Sequence, residues 1–573
     1  MNAGIPRPRT LFGFRLRALI VLALLAVITI GALALDLAFE GMVYDALWEV
    51  TGETAPLEQL LGFGQYLVRW TRAQPDTQPF ADIPLADVSL FGVNTFLEQE
   101  VEPAKRERQA QMIAEAGFGW IRQQFPWEDI EIHAKGDFTD RRNLDVHGAI
   151  SAWEKYDHIV ALAGQYGLRI LARLGGPMPA WSLPEGTANR YTPPADFQDF
   201  VDYAVAVATR YRGRIQHYQV WNEPNLYPEW GEQTVNAEAY TDLLCRTYRA
   251  LKAVDPQIVV ITGAIGPTID LSGRNAYDVL YLQRMYQAGA GACFDVLSVQ
   301  GYGLWSGPSD RRLRPTTINF QRHLYLRDVM VANGDAHKPI WISEAGWNPV
   351  PDDPAIANLE RYGRVTMEQA AAWAPLAYQR ASEEWPWIGM IAWWYFKRAD
   401  DSERDQSWYY FRLVEPDFTP TPVYEALRAY ITGERPQVLG AGRHGLTARG
   451  IVSREPGGDE TRTFRARGTA AYLCHEALPQ SQAITLGVDG SAERTLALAP
   501  GAAGCVPLSE RLGGGVHTLA LSADDWSGLH SLVVLDHSAR QRLPWLLVGV
   551  VAAAGALAVL GRAVSVRLGR AAA

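Results

Sequence analysis

The stretch HYQVWNEPNLY, residues 217–227, sets a run of β-branched and aromatic residues against an abrupt stop at Pro224. Tyr218, Val220 and Trp221 suit a buried strand, and a proline cannot continue its hydrogen-bond ladder. The strand must end beside Asn222 and Glu223. A glutamate fixed there behind an amide is placed for chemistry, and such chemistry needs a second group.

Seven more apolar runs surround this one: VSLFGVN (88–94), FGWIRQQF (118–125), LRILARL (168–174), IVVITGA (258–264), FDVLSVQGY (294–302), PIWISEAG (339–346) and IGMIAWWYF (388–396). Most are rich in Val, Ile and aromatics, as strands buried on both faces should be. Helical periodicity separates them. In 197–211, Phe197, Phe200, Val201, Ala204 and Val207 recur at three- and four-residue spacing, and 240–252 repeats the pattern. Eight alternating units predict an α/β fold, a TIM-type (β/α)8 barrel with enlarged loops, over roughly 350 residues against about 250 for a minimal one. The competing fold is an open doubly wound sheet, but neither GxGxxG at a strand-to-helix junction nor GxxxxGK[ST] occurs.

The rest of the composition sets limits. A chain of 573 residues with 48% hydrophobic and 20% charged residues predicts two or three globular domains. A net charge of −10 without a basic block argues against nucleic acid as a partner. Nineteen tryptophans supply flat rings of the kind that stack on sugars, or else fill cores.

Two segments read as membrane helices. Residues 18–35 are uncharged and follow Arg7, Arg9, Arg15 and Arg17; residues 543–561 precede Arg562, Arg567 and Arg570. Each reaches the ~18 to 20 residues that span hydrocarbon. Basic outer flanks predict cytoplasmic termini and an exported middle, so the expected location is the cell membrane with the catalytic domain extracytoplasmic. Ala32-Leu33-Ala34 offers the alternative of a cleaved leader. Cys474 with Cys505, and Cys245 with Cys293, are possible pairs or buried thiols, and none has metal-ligand spacing.

The expected organisation is a basic tail and first membrane helix (1–38), a connector with one helix in LEQLLGFGQYLVRW (39–85), the barrel (86–435), a small antiparallel β-sandwich (436–540), and the second membrane helix with its basic tail (541–573).

In the barrel, Glu223 ends the fourth run and Glu344, in WISEAGWN, ends the seventh. Both then face one cleft at the C-terminal mouth, as two carboxyl groups must to cleave a glycosidic bond. Together WNEPN (221–225) and ISEAGW (342–347) resemble the motifs of glycoside hydrolase clan A, most closely its cellulase-like family 5 and family 39, over roughly residues 86–432. The resemblance implies a retaining glycosidase acting on a polysaccharide or oligosaccharide, with carboxyl groups ~5–5.5 Å apart and neither a metal nor an organic cofactor. It implies Glu223 as acid/base, Glu344 as nucleophile and Asn222 as the ligand of the sugar 2-hydroxyl. Arg122 would keep Glu344 ionised, and Tyr302 would hydrogen-bond it. Gln300 stands where the clan often has a histidine. Trp394 resembles the floor of the cleavage subsite, with Trp393 as the alternative. Trp181, Trp230, Trp305 and Trp347 follow strand ends and are candidate sugar platforms. A transglycosylase and a non-catalytic glycan-binding protein are the competing functions.

Overall fold

The computed structural model describes residues 27–536, apart from 29, 70, 434–437, 447–450, 455–459 and 514. All eight runs form strands: β1 (Phe91–Thr95), β2 (Trp120–Pro126), β3 (Arg169–Gly175), β4 (His217–Val220), β5 (Val259–Ile261), β6 (Leu297–Tyr302), β7 (Ile340–Gly346) and β8 (Ile388–Trp393). They pair in parallel in the order β5-β4-β3-β2-β1-β8-β7-β6. Parallel bridges from Ile261 to Val296 and from Ile265 to Val299 close β5 onto β6. The result is the (β/α)8 barrel.

Each strand is followed by a helix: α1 (Pro103–Glu115), α2 (Glu154–Gln165), α3 (Phe197–Arg210), α4 (Ala237–Val254), α5 (Asp278–Gln287), α6 (His323–Ala332), α7 (Met367–Glu384) and α8 (Pro422–Ile431). Local chemistry fixes several of their starts. Asp196 and Asn236 accept from the backbone N–H groups of Gln198 and Ala239, and Thr366 with Gln369 forms a reciprocal capping box. A proline opens α8 behind the Thr421 cap.

The barrel interior changes character along its axis. At the N-terminal end Trp120, Leu171, Ile261, Val296, Trp341 and Met390 fill it with apolar side chains. Gly92 makes room for this layer, since a Cβ there would lie 2.8 Å from the Met390 sulfur. Above it the lining turns polar. Gln219 Nε2 donates to Ser298 Oγ (2.8 Å), Ser298 Oγ to Ser343 Oγ (2.8 Å), and Asn94 Nδ2 to the Ser343 carbonyl (2.8 Å). Buried polar groups so connected form a rigid floor for whatever sits above them.

Beyond α8, one sheet joins 438–439, 460–467, 516–523, 482–488 and 494–498, with 451–454 paired to 460–467; a second joins 442–445, 529–535, 470–475 and 504–509. Leu439, Phe464, Leu473, Leu486, Leu519 and Leu532 come from both sheets and share one core, which makes this the expected sandwich. Disulfides link Cys474 to Cys505 and Cys245 to Cys293.

The 39–85 segment holds two helices where sequence reading gave one: Pro56–Arg69, and Met42–Thr51 before it. Both lie against the loop after β6. Gly307 N donates to the Gly52 carbonyl (2.7 Å), Ser309 Oγ to the Trp48 carbonyl (2.7 Å), and Arg312 pairs with Glu53 (2.6 Å). The expected span 543–561 lies outside the described residues, as does most of 18–35. Its described remainder is helical, with Val27, Ile28, Ile30 and Leu35 exposed. Among the described residues no helix is long and apolar enough to cross a membrane.

Candidate active site

The β4 ladder ends at Val220, and the next residue explains the turn. Trp221 has φ 78°, in the left-handed region that disfavours a bulky side chain, at on the order of 1–3 kcal/mol. Its indole Nε1 is held by the Glu229 carbonyl (2.7 Å), and its ring packs on Phe200 and Trp230. Gly263, at the end of β5, leaves space for this turn: a Cβ there would sit 2.7 Å from the Asn222 carbonyl oxygen. Asn222 and Glu223 both line the cleft at the barrel mouth.

Glu344 reaches the same cleft by a different device. Ile342 pairs with Val299 and Glu344 with Gln300, so β7 carries one extra residue against β6; against β8 it carries one extra residue between Ile342 and Ala345. This β-bulge lets two consecutive side chains face inward, which a regular strand forbids. Ser343 bonds within the polar floor while Glu344 meets Arg122.

Arg122 is the hub. Its Nη1 donates to Glu344 Oε1 (2.7 Å) and Asn94 Oδ1 (2.8 Å), its Nε to Gln219 Oε1 (2.7 Å), and its Nη2 to Asn222 Oδ1 (2.7 Å). Tyr302 Oη donates to the other Glu344 oxygen (2.7 Å). Asn222 Nδ2 donates in turn to Glu229 Oε1 (3.0 Å). Burial draws the Arg122 guanidinium below its usual range, against the opposing pull of Glu344, and pushes the Tyr302 phenol well above its own. The Tyr302 phenol therefore keeps its proton, and Arg122 remains a donor because a guanidinium starts far above neutrality.

Glu223 stands in the opposite condition. Burial raises its carboxyl to about 8, with the negative charges of Glu344 and Glu229 adding to the effect and Arg122 offsetting part of it. Burial favours the protonated form of one carboxyl group, while its neighbour takes two donated hydrogen bonds.

Two lobes meet at these groups. The first, of about 360 Å³, is lined by Glu344, Asn222, Trp394, Phe96 and Arg173. The second, of about 420 Å³, is lined by Leu226, Tyr227, Pro267, Leu304 and Ile318. Glu223, Glu229, Tyr302 and Tyr362 line both. Glu344 belongs to the first alone. A larger cavity, of about 620 Å³, opens elsewhere on the barrel beside Arg106 and His158. Arg142 pairs there with Asp129 (2.7 Å), and neither Glu223 nor Glu344 reaches it.

Of the expected tryptophans, only Trp394 lines the cleft, edge-on to Phe96. Trp393 points the other way, as neighbouring strand residues must, and stacks on Tyr378 of α7. Trp347 is buried against Trp373 and Phe320 with its Nε1 on the Ser306 carbonyl (2.8 Å). Trp181 packs edge-on to Trp127 and donates to the Glu131 carbonyl (2.9 Å). Trp230 is core, and Trp305 is exposed outside both lobes. These four are anchors of the loops above the barrel or surface groups, not walls of the cleft. Sequence reading missed Arg173, Tyr191, Arg398 and Trp408, all of which line it. Arg173 carried a signal, a charge inside the apolar run LRILARL.

Among solved structures, the chain is similar to a family 39 glycoside hydrolase from the gut symbiont Bacteroides cellulosilyticus WH2, at 18% identity over 78% of this chain and 83% of that one, with a TM-score of 0.46. It is also similar to a GH39 beta-xylosidase from Caulobacter crescentus, at 14% identity over 79% and 98%, with a TM-score of 0.42. A third is GH5_18 from Streptomyces cattleya, in complex with Manb1-4GlcNAc, at 20% identity over 60% and 81%, with a TM-score of 0.43. All three are glycoside hydrolases. No family model and no curated protein sequence matches the chain.

Proposed function

We propose that this chain is a retaining glycoside hydrolase, anchored in the membrane with its barrel outside the cytoplasm. One observation carries the reading: two glutamates share a cleft, one buried so that its protonated form is favoured and the other clamped by Arg122 and Tyr302. Glycoside cleavage by double displacement needs that division of labour. Glu344 attacks the anomeric carbon while Glu223 gives its proton to the departing oxygen. Glu223, now ionised, then takes a proton from water, which displaces Glu344 and restores both groups. Asn222 has one amide hydrogen beyond its bond to Glu229, free for the sugar 2-hydroxyl.

The lobes give the substrate a direction. The sugar that becomes attached to Glu344 belongs in the first lobe, which alone contains that residue, and the leaving group belongs in the second. Glu223, on the wall common to both, is positioned for the bridging oxygen. Two disulfides suit an oxidising compartment, and the uncharged run at 18–35, whose described part exposes its apolar side chains, supports the anchor.

The test is mass spectrometry of the full chain after exposure to activated 2-fluoro glycosides of several sugars. A covalent adduct on Glu344, absent from Glu344→Gln, is the expected result. Adducts on another residue, or none with any sugar while chromogenic glycosides stay intact, would overturn it.

A further inference from the structure

The first lobe contains a cation that the protein's own carboxylates leave unmatched. Arg122 pairs with Glu344 (2.7 Å) and Arg398 with Glu403 (2.8 Å). Arg173, on β3, is 7% exposed and donates through Nη1 to the side-chain oxygen of Gln124. No carboxylate lies within ion-pair distance of it among the described residues, and its buried Nε has no hydrogen-bond partner. A buried guanidinium matched only by a neutral amide is destabilising to the fold, and such a group at a cleft is a functional candidate.

The arrangement around Gln124 keeps Arg173 unmatched. Gln124 Nε2 donates to Glu98 Oε1 (3.3 Å), which turns the amide oxygen toward Arg173 and holds Glu98 behind the amide. Burial raises the Glu98 carboxyl to about 7, so its negative charge is reduced near neutral pH. Glu229, the remaining carboxylate of the cleft, is engaged by Asn222 at the wall between the lobes.

Strand order places the cation. Arg398 follows β8, Phe96 follows β1, Gln124 lies on β2, and Arg173 on β3; these four strands are consecutive in the barrel and form one wall of the first lobe. The guanidinium of Arg398 lies 4.0 Å from the Phe96 ring centroid on the same wall. This is the side that receives the sugar bound to Glu344 in the glycosidase reading. A planar guanidinium presents paired N–H donors that match the two oxygens of a carboxylate.

We propose that Arg173, assisted by Arg398, receives a carboxylate carried by the sugar in the first lobe, so that the substrate is a glycan of uronic acids. The assignment of that sugar as the one transferred rests on the glycosidase reading; the anion site itself does not.

Two measurements separate these claims. The first compares kcat/KM of the full chain on pairs of 4-nitrophenyl glycosides, each uronide against the hexoside of the same configuration, for the gluco, galacto and manno series in both anomers. A uronide preferred by at least tenfold is expected, with the preference reduced at least tenfold in Arg173→Gln and partly kept in Arg173→Lys. The second measures binding of oligoglucuronate, oligogalacturonate and oligomannuronate to Glu344→Gln by calorimetry, against the same oligosaccharides with carboxyl groups reduced to alcohols. Binding that requires the carboxyl groups and weakens at least tenfold when Arg173→Gln is added supports the site even if no glycoside is cleaved. Hexosides cleaved in preference to every uronide would overturn the proposal and leave the glycosidase standing. Equal binding of native and reduced oligosaccharides, no binding of any, or a uronide preference unchanged in Arg173→Gln would overturn it as well.

Discussion

Arg122 Nη1 lies 2.7 Å from Glu344 Oε1, and the two side chains are only 2% and 6% exposed. A buried pair of this kind is more consequential to break than to lack, because the surviving charge is left without a counterion. Arg122→Ala is therefore expected to lower stability by about 3–5 kcal/mol. Arg122→Lys keeps a charge but cannot span Glu344, Asn94, Gln219 and Asn222 together, and is expected to lower kcat/KM by about 100-fold or more. Chemical denaturation and steady-state kinetics check the two outcomes.

Tyr302→Phe removes the donor to the second Glu344 oxygen. A hydrogen bond to a charged group is worth about 1.5–3 kcal/mol, which predicts a fall in kcat of roughly 10- to 100-fold. The loss should fall mainly on formation or breakdown of the covalent intermediate, resolved by following adduct accumulation and decay in rapid-quench experiments.

Glu223 sets the alkaline limit of activity. Its proton, held up to about pH 8, is needed in the first step, so kcat/KM should be sustained below that value and fall tenfold per pH unit above it. The same burial acts on stability. Between its ordinary value of 4.5 and about 8 the folded chain holds a proton that the unfolded chain has released. The folded state therefore binds more protons there, and stability declines as pH rises through that window. Glu223→Gln should abolish cleavage of substrates with poor leaving groups and flatten this decline. At pH 7, inside that window, it should raise stability. Melting curves of both proteins from pH 5 to 9 provide the comparison.

Adjacent tryptophans should answer differently to the same change. Trp394→Ala opens the cleft and is expected to weaken substrate binding and turnover with stability lowered less. Trp393→Ala excavates the packing between β8 and α7 and is expected to lower stability by about 3–5 kcal/mol. Denaturation midpoints set beside kcat/KM for the two variants test the split. Matching stability losses would mean that Trp394 is packed as Trp393 is.

That pair also marks the limit of what the residues disclosed in advance. The barrel was legible because each strand is an apolar run of the length a buried strand needs, and Glu223 and Glu344 were legible because each sits in a motif at a strand end. Which of two neighbouring indoles faces the cleft depends on where a strand's regular alternation stops, and no local signal records that. The bulge at Ser343 was hidden for the same reason: it exists only relative to the partners of β7. Arg398 and Trp408 arrive from the irregular segment after β8, where no periodicity orients a side chain. The helix Met42–Thr51 sits in a segment where only LEQLLGFGQYLVRW had been read as a helix. Arg173 was visible as a charge among apolar neighbours, but its lack of a counterion is a property of three-dimensional surroundings.

The closure of β1 onto β8 has a consequence for the order of events during synthesis. The side chain of Asn94 meets the Trp393 carbonyl at a separation of 299 positions along the chain, while the other edge of β1 finds β2 almost at once. One edge of the first strand therefore stays open through the making of six further strands, exposing an unpaired ladder that invites foreign strands. The Gly52–Gly307 contact waits through much of the same interval. A chain delivered across a membrane in an extended state would have to protect that edge until the last strand of the barrel emerges and seals it.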